Sequence, residues 1–289
     1  MRPSSNVTRP RVRLRVHRAD NVFQHLQTLK RNRTKRHHFG EALVEGVRPI
    51  TRAIQHGWQV VSFAFSADRE LSGWAREMLA AAPLADRIEL TPALMERLSE
   101  KEEPSELMVV VRQAEDTMTR IELGRLGGTP LVCVFDRPSS PGNLGTIIRS
   151  CDALGADGLL VTGHGCDVYD PQTIRASQGS LFAIPVVRAA GAAEVRRWAD
   201  LAPGGAPLRL IGASGDADRA LADVDLTGPM ALVLGNETHG LSQGYREVCD
   251  DLVQIPMPGQ PTGAADSLNV ASAASILLYE TARQRASTR

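Results

Sequence analysis

Residues 131–163, LVCVFDRPSSPGNLGTIIRSCDALGADGLLVTG, decide the fold. LVCVFD (131–136) and GLLVTG (158–163) are short apolar runs without polar alternation, the pattern of strands buried on both faces. Between them residues 145–156 carry helical spacing, entered through a turn made by two prolines and a glycine. Strand, helix and strand in that succession form one crossover unit of a parallel sheet. The pattern repeats downstream, with further strands at LFAIPVV (181–187), LRLIGAS (208–214), ALVLG (231–235) and LVQIPM (252–257). Helical patterns cover about 171–179, 193–202, 243–249 and 268–285. The second half is therefore an α/β domain with a mostly parallel sheet covered on both sides. Ligands of such sheets sit beyond the carboxyl ends of the strands, so functional side chains are sought in the loops that follow them.

Upstream, shorter strands alternate with helices. DNVFQHLQTLK (20–30) places Val22, Phe23, Leu26 and Leu29 at helical spacing behind Asp20 or Asn21 as a cap. A second amphipathic helix is expected over about 40–56, with Pro49 as a break or kink. VVSFAF (60–65), RIEL (87–90) and LMVVVRQ (107–113) read as strands, and LSGWAREMLAA (71–81) and TPALMERLS (91–99) as helices. The predicted partition is a loose basic arm over 1–19, a small α/β domain over 20–114, a linker over 115–129 and the parallel-sheet domain over 130–289.

Composition narrows the function classes. The 289 residues are 43% apolar, enough for a sizeable core. No apolar run is long enough to span a bilayer, and the basic start lacks an apolar signal core, which predicts a cytoplasmic protein with no membrane partner. Cys133, Cys151, Cys166 and Cys249 form no CxxC pair, so reduced thiols and no metal site are expected. Lys and Arg number 33 against 33 Asp and Glu, a balance that conceals an asymmetry. The first 40 residues are crowded with Lys and Arg and hold Asp20 as their sole acid, leaving the remainder net acidic. A basic end on an acidic body suits a polyanion, because clustered cations release counterions condensed on a phosphate backbone. A solvated terminal face is the alternative.

LVLGNETHGLS (232–242) ends a strand by setting one carboxylate, Glu237, among glycines, as a strand-end cap or a general base would be set. In PSSPGNLGTIIR, Asn143 stands at the helix entrance, as a cap or as a ligand group, and Arg149 follows six residues later. Arg149 is placed to reach toward an anion or a ribose oxygen, or to serve as a surface ion-pair partner. Ser267 and Asn269 open the final helix, where Ala271, Ala273, Ala274 and Ser275 allow close helix packing. Gly235, Gly240, Gly259 and Gly263 leave backbone N–H and C=O groups accessible, which suits an adenine edge and a polar tail better than a triphosphate. GxGxxG, GxxxxGK[ST] and HExxH are absent and no Ser-His-Asp elbow is evident, so a nicotinamide enzyme is remote.

Three stretches in order, NLGTIIRSCDALGADG (143–158), LVLGNETHGLS, and IPMPG (255–259) followed by SLNVASAASILLYE (267–280), resemble the motifs of the SpoU/TrmH branch of the knotted SPOUT methyltransferases. DPQTIRASQGSLFAIPV (170–186) is similar to family sequence as well, and the likeness covers about 130–282. It implies a C-terminal trefoil knot, an exception to the rule against knots. It also implies a homodimer whose partner subunit helps build each site, and methyl transfer from S-adenosylmethionine to a ribose 2'-hydroxyl in RNA. By the same resemblance Asn143, Arg149, Glu237, Ser267 and Asn269 are the catalytic set, with Arg149 nearest the 2'-hydroxyl and facing Glu237. A guanidinium stays protonated, so Arg149 is assigned to positioning, with a role as base left open. Leu234, Gly235, Ile255, Met257 and Leu268 are the implied donor-binding positions.

KRNRTKRHHFGEALVEGVRPITRAI (30–54) resembles the entry of the L30e-like RNA-binding domain found upstream in this family. Arg31, Arg33, Lys35, Arg36 and Arg48 are the implied RNA contacts. One departure stands out: seven residues, 260–266, separate Gly259 from Ser267, where the family pattern has about three. Large-subunit ribosomal RNA is the expected substrate, within or near a group that protects actinobacterial ribosomes from antibiotics. The alternatives are a transfer RNA ribose methyltransferase, a base methyltransferase on the same knot, and a non-catalytic RNA-binding or ribosome-assembly protein on this scaffold.

Overall fold

The computed structural model describes residues 12–99, 103–202, 206–257 and 267–287. Two units divide the chain: Met1–Ala114 with Tyr169–Arg175, and Glu115–Val168 with Ala176–Arg289. The first holds β1 (Arg13–Val16), α1 (Asn21–Arg31), α2 (Arg33–Phe39), β2 (Glu41–Glu45), α3 (Val47–Gln55), β3 (Val60–Ser66), α4 (Gly73–Ala81), β4 (Asp86–Leu90), α5 (Pro92–Leu98) and β5 (Leu107–Arg112). Its sheet runs β1-β4-β3-β5-β2. The strands β1, β4 and β3 are parallel, and β5 is antiparallel to both of its neighbours. The Asp20 carboxylate caps α1 by accepting from the N–H groups of Val22 and Phe23 at 3.0 and 3.1 Å. That fixes the helix so that Phe23, Leu26 and Leu29 enter a core with Leu94, Leu98, Met108 and Val110.

Three sequence expectations are corrected in this unit. EALVE is strand β2, not the start of a helix over 40–56: Ala42, Leu43 and Val44 are buried in register with Val111, Val110 and Val109. The helix begins only at Val47, behind Gly46 at φ 110°, a conformation that suits glycine. Pro49 then falls in the first turn, where a missing N–H costs nothing, and neither breaks nor kinks the helix. The basic stretch after α1 is itself a helix, α2, capped by the Asn32 side chain accepting from the Lys35 N–H at 3.0 Å. Within the supposed loose arm, Arg13–Val16 pairs with Arg87–Leu90, and Arg13 and Arg15 both hydrogen-bond the buried Glu89. The earlier part of the arm, residues 1–11, lies outside the described residues.

The second unit holds β6 (Leu131–Asp136), α6 (Pro141–Ala153), β7 (Gly158–Thr162), β8 (Val186–Ala189), α8 (Ala192–Asp200), β9 (Arg209–Ala213), β10 (Arg219–Ala220), β11 (Met230–Leu234), α9 (Gln243–Val248), β12 (Asp251–Gln254) and α10 (Val270–Ser287), while α7 (Pro171–Ser177) falls partly in each unit. The sheet order is β10-β12-β9-β11-β6-β7-β8, and every neighbouring pair is parallel. LFAIPVV is only partly strand: Ser180–Phe182 is a 3-10 turn and β8 starts at Val186, after Pro185, which has no N–H to give a ladder. The two-residue edge strand β10 had no sequence signal. The expected linker 115–129 packs tightly. Ile121 is buried in the sheet's core, and the buried Asp157 carboxylate accepts from the N–H groups of Gly124, Arg125 and Leu131 at 2.9, 3.2 and 3.0 Å. Gly259, Gly263 and the inserted 260–266 lie outside the described residues.

Candidate active site

At the carboxyl end of β11 the chain folds back on itself. Asn236 and Gly240 exchange two backbone hydrogen bonds of 2.9 Å, closing the NETHG loop. A Cβ on Gly235 would lie 2.2 Å from the Gly240 carbonyl carbon and 2.3 Å from the Leu241 nitrogen, so only glycine fits before this closure. The loop is tied to the one after β6. The Asn236 amide donates to the Arg137 carbonyl at 2.7 Å, and the Arg137 guanidinium donates to the Gly240 carbonyl at 3.1 Å. Arg137 sits at φ 51°, a left-handed conformation that a non-glycine residue holds only when its surroundings impose it. Asp136, buried, accepts from the Arg137 side chain and from the Ser242 N–H, both at 3.0 Å, so one carboxylate anchors both loops. Beneath it Thr162 donates to Asp136, and the Tyr245 hydroxyl donates to Thr162 at 3.2 Å. Burial pushes the Tyr245 phenol up, so it remains a donor throughout the physiological range.

Glu237 projects from this loop toward the start of α6. Its carboxylate accepts from the Ser139 N–H (2.9 Å) and hydroxyl (2.7 Å), the Ser140 N–H (2.9 Å) and the Asn143 side-chain amide (3.3 Å). Partial burial raises the carboxyl's pKa, but the Ser139 and Ser140 donors outweigh that and hold it below its ordinary value. The Asn143 carbonyl oxygen in turn accepts from the Asn269 side chain at 3.1 Å, and Asn269 accepts from the Ala271 N–H at the start of α10. One hydrogen-bonded chain, Glu237–Asn143–Asn269, thus joins three segments far apart in sequence. Asn143 is not the cap of α6. Ser140 is, accepting from the Asn143 N–H at 3.3 Å.

Within one chain Arg149 makes no hydrogen bond to Glu237. Six residues of helix set it about 9 Å along the axis and about 120° around from Asn143. It is exposed, and its side chain makes no hydrogen bond or ion pair with the described residues. Ser267 is exposed just ahead of Asn269. Sequence reasoning missed Asp136, Arg137, Ser139, Ser140 and Asn236. The signals were a Ser-Ser pair ahead of a first-turn proline, which marks a helix cap, and an Asn after a strand-end glycine, which marks a side-chain-closed turn.

Two of the positions expected to bind the donor, Gly235 and Ile255, follow strands at the same end of the sheet. Val233, Gly212 and Leu252 share one row across β11, β9 and β12, so Gly235 and Ile255 leave the sheet at nearly the same level, about 10 Å apart. Leu234 is buried, Ile255 and Met257 are half-buried, and Leu268 is 42% exposed. Apolar side chains beside a glycine-closed backbone loop fit the adenine and methionine parts of S-adenosylmethionine.

In the first unit Arg31, Arg33, Lys35 and Arg48 are exposed. Arg36 is not a phosphate contact: it is 2% exposed and donates to the carbonyls of Leu29 and Lys30 at 2.9 Å, tying α2 to α1.

An all-parallel sheet whose strand ends carry a glycine-closed acidic loop, joined through two asparagines to the final helix, defines the SPOUT methyltransferase class. Residues 130–279 match the SpoU rRNA Methylase family, and residues 20–109 match the SpoU L30e-like domain. A 23S rRNA (uridine(2479)-2'-O)-methyltransferase of Streptomyces viridochromogenes is 47% identical over 92% of this chain and 91% of its own length. The crystal structure of the SpoU methyltransferase AviRb from the same organism, in complex with AdoMet, has a TM-score of 0.86 at 47% identity, covering 93% of this chain and all of its own. A crystal structure of an RNA 2'-O ribose methyltransferase has a TM-score of 0.75 at 32% identity, covering 94% and 100%. The chain belongs to the SpoU rRNA methylase family.

Proposed function

We propose that this protein transfers a methyl group from S-adenosylmethionine to a ribose 2'-hydroxyl of large-subunit ribosomal RNA. The observation that carries the reading is the Glu237–Asn143–Asn269 chain, in which a carboxylate with four donors fixes an amide, and that amide fixes a second. A parallel-sheet scaffold has no folding need for such a set at its strand ends. When bound, the donor supplies a methyl group on a sulfonium, and its transfer demands near-collinear attack, so rigid positioning is the main contribution this chain can make. Glu237 holds Asn143, Asn269 completes the ribose-facing amides with Ser267, and Arg149 positions the 2'-hydroxyl. The first unit is the RNA-binding domain, the second the methyltransferase domain, and Arg31, Arg33, Lys35 and Arg48 contact phosphates.

The active form is proposed to be a homodimer. Ile276 (38% exposed) and Tyr279 (61%) lie on the solvent face of α10, and Leu268 (42%) precedes that helix. Ser275, next to Ile276, hydrogen-bonds Ser150, next to Arg149, at 2.9 Å. A second copy covering this face would bring its own Arg149 to the first copy's strand ends. Cytoplasmic action follows from the substrate, and no described helix is long and apolar enough to cross a membrane. Among the described residues no His, Cys, Asp and Glu cluster could hold a metal ion.

Purified protein given methyl-labelled donor and total ribosomal RNA is expected to label one ribose in the large-subunit RNA, with the uridine modified by the Streptomyces relative as the first position to map. Labelling of bases only, of transfer RNA only, or of no RNA would overturn the proposal. Expression in a host with susceptible ribosomes tests the antibiotic-protection role.

A further inference from the structure

An exposed aromatic group stands out in the basic part of the first unit. Phe39, the last residue of α2, is 36% exposed although it is flanked by charged and polar residues. The His25 ring, on α1, meets it edge-on with centroids 4.7 Å apart and an interplanar angle of 72°. The His38 ring also meets it edge-on, at 5.3 Å and 68°. His25 is itself fixed. The His25 Nε2 lies 2.8 Å from the buried Glu41 carboxylate, which also pairs with Arg112 at 3.1 Å. Arg112 donates to the Phe39 carbonyl at 3.0 Å, and Gly40, at φ 62°, ends the helix by donating to the carbonyls of Arg36 and His37. The backbone at Phe39 and its His25 neighbour are held before any ligand arrives, and over a third of the residue's surface is left to solvent.

We propose that Phe39, braced by His25 and His38, is a stacking platform for one unpaired base of the RNA substrate. The proposal rests on the RNA methyltransferase reading and adds to it how the first unit selects a single-stranded element. Charge favours nucleic acid over a protein partner. Residues 30–38 contain no acid; the nearest one in sequence, Glu41, is buried and paired, and Asp170 lies 3.5 Å from the buried Arg36. Lys35 precedes His38 and Phe39 by three and four residues, so it projects from the same face of α2, where it meets the phosphate beside a stacked base. Sequence-specific RNA recognition works chiefly through splayed bases laid on aromatic rings, because the deep groove of an A-form helix is closed to side chains.

The test uses the full chain and two probes: a large-subunit RNA hairpin whose loop holds the mapped methylation position, and the same RNA with that loop replaced by paired sequence. Phe39→Ala is expected to weaken hairpin binding by about tenfold or more, the range seen when one stacked base loses its ring. Binding to the paired control stays unchanged. Phe39→Trp retains hairpin affinity, and Phe39→Leu, which keeps bulk but has no π-face, behaves like Phe39→Ala. Wild-type hairpin affinity in Phe39→Leu, or equal losses on both probes, would overturn the proposal. So would unchanged RNA affinity in Phe39→Ala accompanied by a changed sedimentation coefficient, which would assign the face to protein contact. Donor binding and methylation by the wild-type protein separate the two readings: absence of RNA methylation defeats the function, whereas methylation with an unaffected Phe39→Ala defeats the platform alone.

Discussion

Glu237 takes three of its four hydrogen bonds from Ser139 and Ser140, the two residues that lead into α6. Glu237→Gln replaces one acceptor oxygen with a donor, setting N–H against N–H or against the Asn143 amide. A partly buried donor left unpaired costs about 1–3 kcal/mol, so kcat/KM for methylation is expected to fall by about 10- to 100-fold and the melting temperature by several degrees. Steady-state kinetics checks this. The same contacts set a pH response. The ordinary carboxyl pKa of 4.5 is lowered in the fold, so the ordering that Glu237 supplies is full above that value and disappears as pH falls through the lower one. Amide hydrogen exchange at Ser139 and Ser140 is expected to be pH-independent, after correction for intrinsic rates, from pH 5 upward. Their protection is lost only on the acid side of pH 4.5. Loss of protection near neutrality would contradict the assignment.

At the scale of elements, the loops after β6 and β11 behave as one part because Gly235 lets the second close against itself. Gly235→Ala drives a methyl group into the backbone of Gly240 and Leu241, where no side-chain rotation relieves it. Opening the Asn236–Gly240 bridge costs about 1–3 kcal/mol, as other overpacked sites do. Donor binding measured by calorimetry is expected to be lost while the far-UV circular dichroism is retained. These elements also show what local pattern encodes. The central strands of the second unit, β6, β7, β9 and β11, were legible because each is a short apolar run buried on two faces. The start of β2 was misread because EALVE followed by VRPITRAIQ carries helical spacing across a strand-to-helix boundary, and only pairing with Val109–Val111 reveals the strand. Glu237, Asn143 and Asn269, which the fold brings together, were legible as candidates through their motifs, while Asp136 and Arg137, which hold the loops, were not: their role depends on a carboxylate and a backbone conformation that meet only after folding.

At the scale of the whole molecule, the position of Arg149 decides how many chains make one site. It lies on a different face of α6 from Asn143 and has no partner among the described residues. Its exposure means that Arg149→Ala should fold normally, yet methylation is expected to fall on the order of 100-fold or more, as when one transition-state contact is removed. If Arg149 serves the opposite copy, two inactive proteins can repair each other. Consider a dimer of one Arg149→Ala chain and one Glu237→Gln chain. The site built on the Glu237→Gln chain has neither its carboxylate nor the arginine, but the other combines an intact Glu237 from one copy with an intact Arg149 from its partner. Random exchange makes half of all dimers mixed, and half of their sites whole, so about a quarter of wild-type activity is expected after the two proteins are unfolded and refolded together. Were Arg149 to act within its own chain, each site of the mixed dimer would lack one residue, and the refolded mixture would stay as inactive as its parents.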